Sequence, residues 1–191
     1  MKKNDLIVKS NQLIESGYRL SAIEQKLILS IVSMVNPKDK DFFRYKLKIS
    51  DFMELSETKG KTTYKRIRQV SKRLMQKVFE IQRPNSVLQL AWFSSAEYFE
   101  GEGYVEIGIS PLLKPYLLGL KKCFTRYQLG NVIKLKSFYS IRIYELLKQY
   151  EQIKVRIFAL EKLREVLGIP LKKYKLYADF TGVYQRKEKI C

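Results

Sequence analysis

The fold is decided by residues 62–77, TTYKRIRQVSKRLMQK. Either threonine at its start can cap a helix, because its hydroxyl accepts a hydrogen bond from a first-turn amide that has no partner within the helix. Ile67, Val70, Leu74 and Val78 recur at the three- and four-residue spacing of one helical face. The pattern predicts an amphipathic helix that runs to about the end of this stretch and buries these four residues.

The rest of that helix is basic. Between Thr58 and Phe79 the chain has no acidic residue and eight basic ones: Lys59, Lys61, Lys65, Arg66, Arg68, Lys72, Arg73 and Lys77. A helix with charges of one sign repels itself unless a polyanion is present. Phosphates can pair with these cations, and arginine can also read guanine in the major groove. The sequence therefore favours DNA contact by this helix, but it leaves open that the same face is solvated or packs against an acidic partner protein.

The flanking elements have the order of a winged helix. They are a helix from the capping box Ser21–Glu24, a strand over residues 43–49, a short helix Asp51–Leu55 capped by Ser50, the basic helix, a strand Val78–Gln82, and a hairpin whose arms are Val87–Phe99 and Tyr104–Ile109. The hairpin is predicted from the two glycines of the connecting sequence Glu100-Gly101-Glu102-Gly103. In a winged helix the helix after the turn enters the major groove, and the hairpin, or wing, lies along the DNA backbone.

A second series of elements repeats the first. Residues 48–55 align with residues 156–163 at an offset of 108. The second series is a helix from Ser137 to Tyr150 with Leu147 facing inward, a strand Lys154–Phe158, a helix Leu160–Leu167, and a basic stretch from Leu171; Cys123–Leu135, which precedes it, is expected to be mostly extended. An internal repeat of about a hundred residues indicates two domains of similar design, 1–134 and 135–191. The alternative is a chance likeness of short helix–strand–helix patterns.

The amino-acid composition limits the classes of function to be expected. The 191 residues contain 37 Lys and Arg against 19 Asp and Glu, a net charge of +18, which attracts polyanions. There is no histidine, there are two cysteines, and the few carboxylates are scattered, so histidine-based catalysis and a two-metal centre are not expected. No apolar run is long enough for a signal peptide or a membrane span. We therefore expect a cytoplasmic protein without catalytic activity, cofactor or metal.

One stretch resembles a known family. The sequence LKSFYSIRIYELL, residues 135–147, resembles the central helix of the initiator replication (Rep) proteins of iteron-type, theta-replicating plasmids. Residues 6–14, the helix start at 20–27, the segment 163–169 and residues 174–180 resemble other parts of these proteins in the same order. The resemblance covers roughly residues 5–180.

The resemblance implies an α+β protein of tandem winged-helix domains that binds double-stranded DNA at short origin repeats (iterons). It also implies a homodimer that represses its own gene and recruits the host initiator and helicase. The first domain would carry dimerisation and some DNA contact, and the second the main recognition helix. Together with the basic helix, this gives the candidate DNA-binding residues Lys61, Thr63, Lys65, Arg66, Arg68, Lys72, Arg73, Lys77, Lys172, Lys173, Lys175 and Tyr177.

The chain departs from the family pattern after Phe180. The remaining residues, TGVYQRKEKIC, place Gly182 early in the expected recognition helix, and glycine costs about 1 kcal/mol there relative to alanine. We therefore expect an initiator whose second domain is truncated or frame-shifted. The other functions left open are a winged-helix transcriptional repressor without initiator activity and a basic protein-interaction module.

Overall fold

The computed structural model describes residues 2–57 and 63–170. The strands are β1 (Leu6–Ser10), β2 (Arg44–Lys48), β3 (Phe79–Arg83), β4 (Ser86–Leu90), β5 (Phe93–Phe99), β6 (Tyr104–Ile109) and β7 (Phe124–Gln128). The helices are α1 (Asn11–Glu15), α2 (Ala22–Val32), α3 (Ile49–Leu55), α4 (Thr63–Gln76), α5 (Lys114–Leu117), α6 (Gly130–Ile133), α7 (Phe138–Lys148) and α8 (Leu160–Val166), with a 3₁₀ turn at Pro111–Leu113. The mixed α+β architecture predicted from the sequence is confirmed.

Helix α2 lies at the centre of the fold, and the predicted capping box begins it. The Ser21 hydroxyl accepts from the Glu24 amide (3.4 Å), while the Ser21 amide donates to the Glu24 carboxylate (2.6 Å). Every residue from Glu24 to Val32 is buried. Nearly the whole surface of α2 is covered, and α4, α6, α7 and β1 are among the elements that contact it.

The three-stranded antiparallel sheet has the strand order β2-β6-β5. In β2, Tyr45 and Leu47 point into the core opposite Ile107 and Val105, and the residues between them are exposed. In the β5–β6 connection, Gly101 has φ +83° and Gly103 has φ +71°. Residues other than glycine rarely adopt this backbone conformation. The predicted strand and hairpin are therefore confirmed, although β4 pairs with β3 and is not an arm of the wing.

Several local predictions were wrong at the ends of elements. Val78 is 62% exposed, because α4 ends at Gln76 and the chain then turns so that Phe79 and Ile81 of β3 take the buried positions. Ser50 lies inside the first turn of α3, whose cap position is Lys48. Leu147, expected to face inward, is 49% exposed near the end of α7. Val78 and Leu147 lie beyond or near the end of their helices and are exposed, whereas Ser50 is not the cap because α3 begins one residue before it.

Two segments of the later part of the chain also differ from the prediction. The stretch expected to be extended up to Leu135 contains only β7, which pairs with β1, and then turns into helix α6. Lys154–Phe158, predicted to be a strand, is irregular. Helix α8 ends near Gly168, which adopts φ +60° as a helix-terminating glycine does.

A buried ionic network joins α7 to the N-terminal elements. Lys9 and Arg142 both pair with Glu145, and all three side chains are fully buried. Arg142 also donates to the carbonyls of Ile14 (2.6 Å) and Ser16 (3.0 Å). Burial would raise the pKa of Glu145, but the two cations outweigh it and hold that pKa below its usual range. Since removing one partner of a buried pair leaves an uncompensated charge, the network fixes the position of α7.

Helix α7 spans two apolar clusters. Phe138 and Ile141 belong to the main core, whereas Leu146 packs with Ile14 and with Val166 of α8 in a second, smaller cluster. The predicted domain boundary between residues 134 and 135 stays a prediction.

Candidate nucleic-acid interface

Helix α4 is attached to the fold by one face. Ile67, Val70 and Leu74 are fully buried, as the apolar spacing predicts, and Ser71 is buried beside them. The helix contacts α2, α3 and β5. Its opposite face is exposed, so its long cationic side chains project from a rigidly seated helix.

Tyr98 of β5 connects α4 to the wing. The Tyr98 hydroxyl lies 2.8 Å from the Ser71 hydroxyl, and its ring meets the Tyr64 ring edge-on with a centroid separation of 5.4 Å. Burial raises the pKa of Tyr98 to about 12. The hydroxyl therefore stays protonated at neutral pH and can donate to Ser71, which couples helix and hairpin.

Three cations form the outward row of α4: Lys65, Arg68 and Lys72. They are three and four residues apart, so they follow one another along the side of the helix opposite the core. All three are exposed, and no carboxylate oxygen in the described part of the chain lies within 4.0 Å of their charged groups. Their charges are therefore open to an anion from solution.

Arg66 and Arg73 lie along one flank of α4, and Lys77 follows directly after the helix; Arg73 and Lys77 meet a buried acid. The Glu24 carboxylate, 2% exposed, accepts from Lys77 Nζ at 2.7 Å, and Arg73 Nε lies 3.7 Å from its other oxygen. Burial alone would raise the pKa of Glu24, but hydrogen bonds from Lys77 and Ser21 hold it below the usual value. From the sequence, Glu24 was identified only as a helix cap, since its contact with α4 depends on how the two helices pack.

The remaining predicted residues are placed less fully. Thr63 is the first residue of α4. Lys61, Lys172, Lys173, Lys175 and Tyr177 lie outside the described residues, as does the predicted second recognition helix.

The wing carries the opposite charge to α4. From Phe93 to Ile109 there is no Lys or Arg, and the acidic residues are Glu97, Glu100, Glu102 and Glu106. Arg44 of β2 pairs with Glu97 and lies 3.9 Å from Glu106. Glu100 and Glu102 are exposed at the tip, and no described cation lies within 4.0 Å of either. This tip repels phosphate, in contrast to the backbone contact expected of a wing.

The described residues lack the groupings that a metal site or a membrane span needs. In residues 2–57 and 63–170, no three His, Cys, Asp or Glu side chains are grouped so that they could hold a metal ion. The helices of the same ranges are too short or too polar for a membrane span.

The chain resembles known proteins of one family. The family model described as "Initiator Replication protein, WH1" matches residues 6–148, which include α4 and the wing. A curated replication initiation protein of Escherichia coli is 30% identical over 187 residues. That alignment covers 94% of this chain but 58% of the relative, so the chain spans little more than half of the relative's length.

A solved structure shares the fold. The crystal structure of the Pi initiator protein in complex with iteron DNA superposes with a TM-score of 0.70 at 17% identity, covering 87% of this chain and 73% of the other. At that identity the likeness concerns the fold alone. The family model accounts for most of the sequence, and the chain therefore belongs to the initiator replication protein family, with its WH1 winged-helix domain within residues 6–148.

Proposed function

We propose that this chain is a plasmid replication initiator that binds repeated origin sequences in duplex DNA through α4, and that it also represses its own gene. The observation that carries the proposal is the outward row of Lys65, Arg68 and Lys72. These three cations have no described carboxylate partner, and they lie on a helix that is packed into the WH1 winged-helix domain of the family. That the Pi initiator was crystallised with iteron DNA supports the same ligand class.

The geometry suits major-groove binding by a single helix. Lys65 and Lys72 are seven residues apart, so the row extends about 10 Å along the helix. Lysine is a compact charge that pairs with phosphate oxygens, whereas the planar guanidinium of Arg68 can donate two parallel hydrogen bonds to a guanine edge. We assign phosphate contact to the two lysines and base contact to Arg68.

The other parts of the proposal follow from the family. The chain acts by binding, without a catalytic step or a cofactor, in the cytoplasm. It forms a homodimer and meets the host initiator and helicase at the origin. We also propose that residues 135–191 form part of a second winged-helix domain. That domain would add DNA contacts through Lys172, Lys173, Lys175 and Tyr177.

Binding to DNA across a salt series tests the proposal. The purified chain is titrated with duplex from the region flanking its own gene and with a scrambled duplex of equal length. Affinity for both should fall steeply with salt, because phosphate neutralisation releases counterions. A preference of about 10³ or more for the flanking duplex is expected of a sequence reader. Absence of binding to either duplex would refute the proposal and favour a protein-interaction module.

A replication assay separates initiator from repressor. A plasmid that carries the origin but lacks the gene should be maintained when the chain is supplied from a second plasmid. Specific binding together with failure to maintain the origin plasmid would indicate a winged-helix repressor, since a repressor needs only its operator.

A further inference from the structure

Glu24 contacts both the start of α2 and the end of α4. Its side chain is 2% exposed, and it accepts hydrogen bonds from the Ser21 amide and from Lys77. A buried carboxylate is retained at low cost only where cations and donors satisfy it. Here the cations are Arg73, on the basic helix that we propose to bind DNA, and Lys77, the residue directly after that helix.

The two cations that face Glu24 are four residues apart, one in the last turn of α4 and one directly after the helix. Arg73 and Lys77 keep 55% and 40% of their side-chain surface exposed, so they are close to solvent while their charges are partly neutralised. The outward row of Lys65, Arg68 and Lys72 has no such partner among the described residues. Glu24 therefore distinguishes the two cations that it partly neutralises, Arg73 and Lys77, from the three open cations of the outward row.

We propose that Glu24 is a specificity-determining, positioning residue: it withholds Arg73 and Lys77 from DNA phosphates and fixes the C-terminal end of α4 against α2. This inference rests on the proposed DNA binding by α4. Phosphate contacts supply nearly all non-specific affinity and carry no sequence information, whereas base readout requires a helix held in one orientation. Removing two cations from the phosphate-binding set lowers affinity for all DNA, and seating the helix preserves affinity for the correct sequence.

The substitution Glu24→Gln tests the inference with little change in shape. Glutamine can still accept from the Ser21 amide, because the capping box accommodates Glu or Gln at this position. The variant loses only the negative charge that neutralises Arg73 and Lys77. Circular dichroism at the assay temperature establishes that the variant is folded.

The readout is the salt dependence of binding to scrambled duplex. Each newly available cation should steepen the slope of log affinity against log salt by about 0.9, so Glu24→Gln should steepen it by about 0.9 to 1.8. Affinity for scrambled duplex at low salt should rise about three- to ten-fold, and the preference for the flanking duplex should fall. A purely structural role would change thermal stability without steepening this slope.

A second variant gives an independent test. Lys77→Gln should reduce the slope by much less than about 0.9, because the charge it removes is already neutralised. In the Lys77→Gln background, Glu24→Gln should release only Arg73, so its effect on the slope should be about half as large. If Glu24→Gln is unfolded, the salt slope of the single variant Lys77→Gln tests the inference. A slope that is lower than that of the wild type by about 0.9 would overturn it, because Lys77 would then be contacting a phosphate.

The outcomes distinguish this inference from the proposed function. An unchanged slope for a folded Glu24→Gln, with wild-type protein binding the flanking duplex specifically, overturns the role of Glu24 alone. Failure of the wild-type chain to bind any duplex overturns both.

Discussion

Helix α4 and the β5–β6 hairpin are neighbours in one winged helix, yet they present opposite charges. The helix exposes Lys65, Arg68 and Lys72, and the tip of the hairpin exposes Glu100 and Glu102. The two elements touch directly through the Ser71 and Tyr98 hydroxyls. An anion that approaches the helix is attracted by one element and repelled by the other.

The difference separates what the fold determines from what the side chains determine. The fold places a helix and a hairpin side by side, and in many winged helices both contact DNA. Here the Phe99 and Tyr104 rings stack at 4.6 Å, and Lys46 of the neighbouring strand β2 lies 3.5 Å from the centre of the Tyr104 ring, so the hairpin is well packed although its own residues carry no cation. We therefore expect the helix to carry the DNA affinity and the hairpin to oppose it.

The largest effect should come from neutralising the outward row of α4. The triple variant Lys65→Gln, Arg68→Gln and Lys72→Gln removes only exposed side chains, so the fold should persist. The salt slope of DNA binding should fall by about 1.8, which is about 0.9 for each of the two lysines assigned to phosphate contact. Discrimination between flanking and scrambled duplex should also weaken, because Arg68 would no longer read a base.

A matched triple variant controls for net charge. Lys121, Lys122 and Arg126 are likewise two lysines and one arginine, all exposed, on and just before β7. Their replacement by glutamine should leave the slope nearly unchanged. Equal reductions of the slope in both triple variants would mean that only the total charge of +18 matters, and would remove the basis for assigning DNA contact to α4.

A smaller effect of the opposite sign should follow from neutralising the hairpin tip. The double variant Glu100→Gln and Glu102→Gln should raise affinity at low salt, by about two-fold for each carboxylate if the nearest phosphate is about 10 Å away. Glu80→Gln with Glu161→Gln, two exposed acids that likewise have no described cation within 4.0 Å, serves as the control. A decrease in affinity would show that the tip makes favourable contacts and that the comparison of helix and hairpin by charge is wrong.

The sequence predicted those features that depend on local patterns. The apolar spacing of Ile67, Val70 and Leu74 defined α4, and the reciprocal hydrogen bonds of Ser21 and Glu24 defined the start of α2. The acidic character of the wing is also visible in the sequence of residues 93–109. Contact between the wing and the DNA backbone was nevertheless predicted, because it is expected of winged helices in general. The pairing of Glu24 with α4 was not visible, because it joins positions 53 residues apart.

The segment Lys154–Phe158, which was predicted to be a strand, shows why a repeated sequence pattern did not give a repeated structure. At the offset of 108, Tyr45 and Leu47 correspond to Ile153 and Val155. The first pair is 6% and 0% exposed because β2 lies beside β6, whereas the second pair is 67% and 65% exposed. Within the described residues no strand pairs with this segment. Alternation predicts which side chains would share a face, but a strand also needs a neighbour to hydrogen-bond with.

The smallest expected effect on DNA binding tests whether helix and hairpin depend on each other. Tyr98→Phe removes the hydroxyl that contacts Ser71 and should lower the free energy of unfolding by about 1 kcal/mol at neutral pH, with DNA affinity nearly unchanged. Because the pKa of Tyr98 is raised to about 12, the hydroxyl stabilises the fold below the ordinary tyrosine pKa of 10.0, and this contribution is lost as pH rises through about 12. Denaturant unfolding of both proteins should show their difference in stability shrinking over that range. A large drop in DNA affinity in a folded Tyr98→Phe protein would instead mean that the hairpin positions α4, and the two elements could no longer be compared as independent charges.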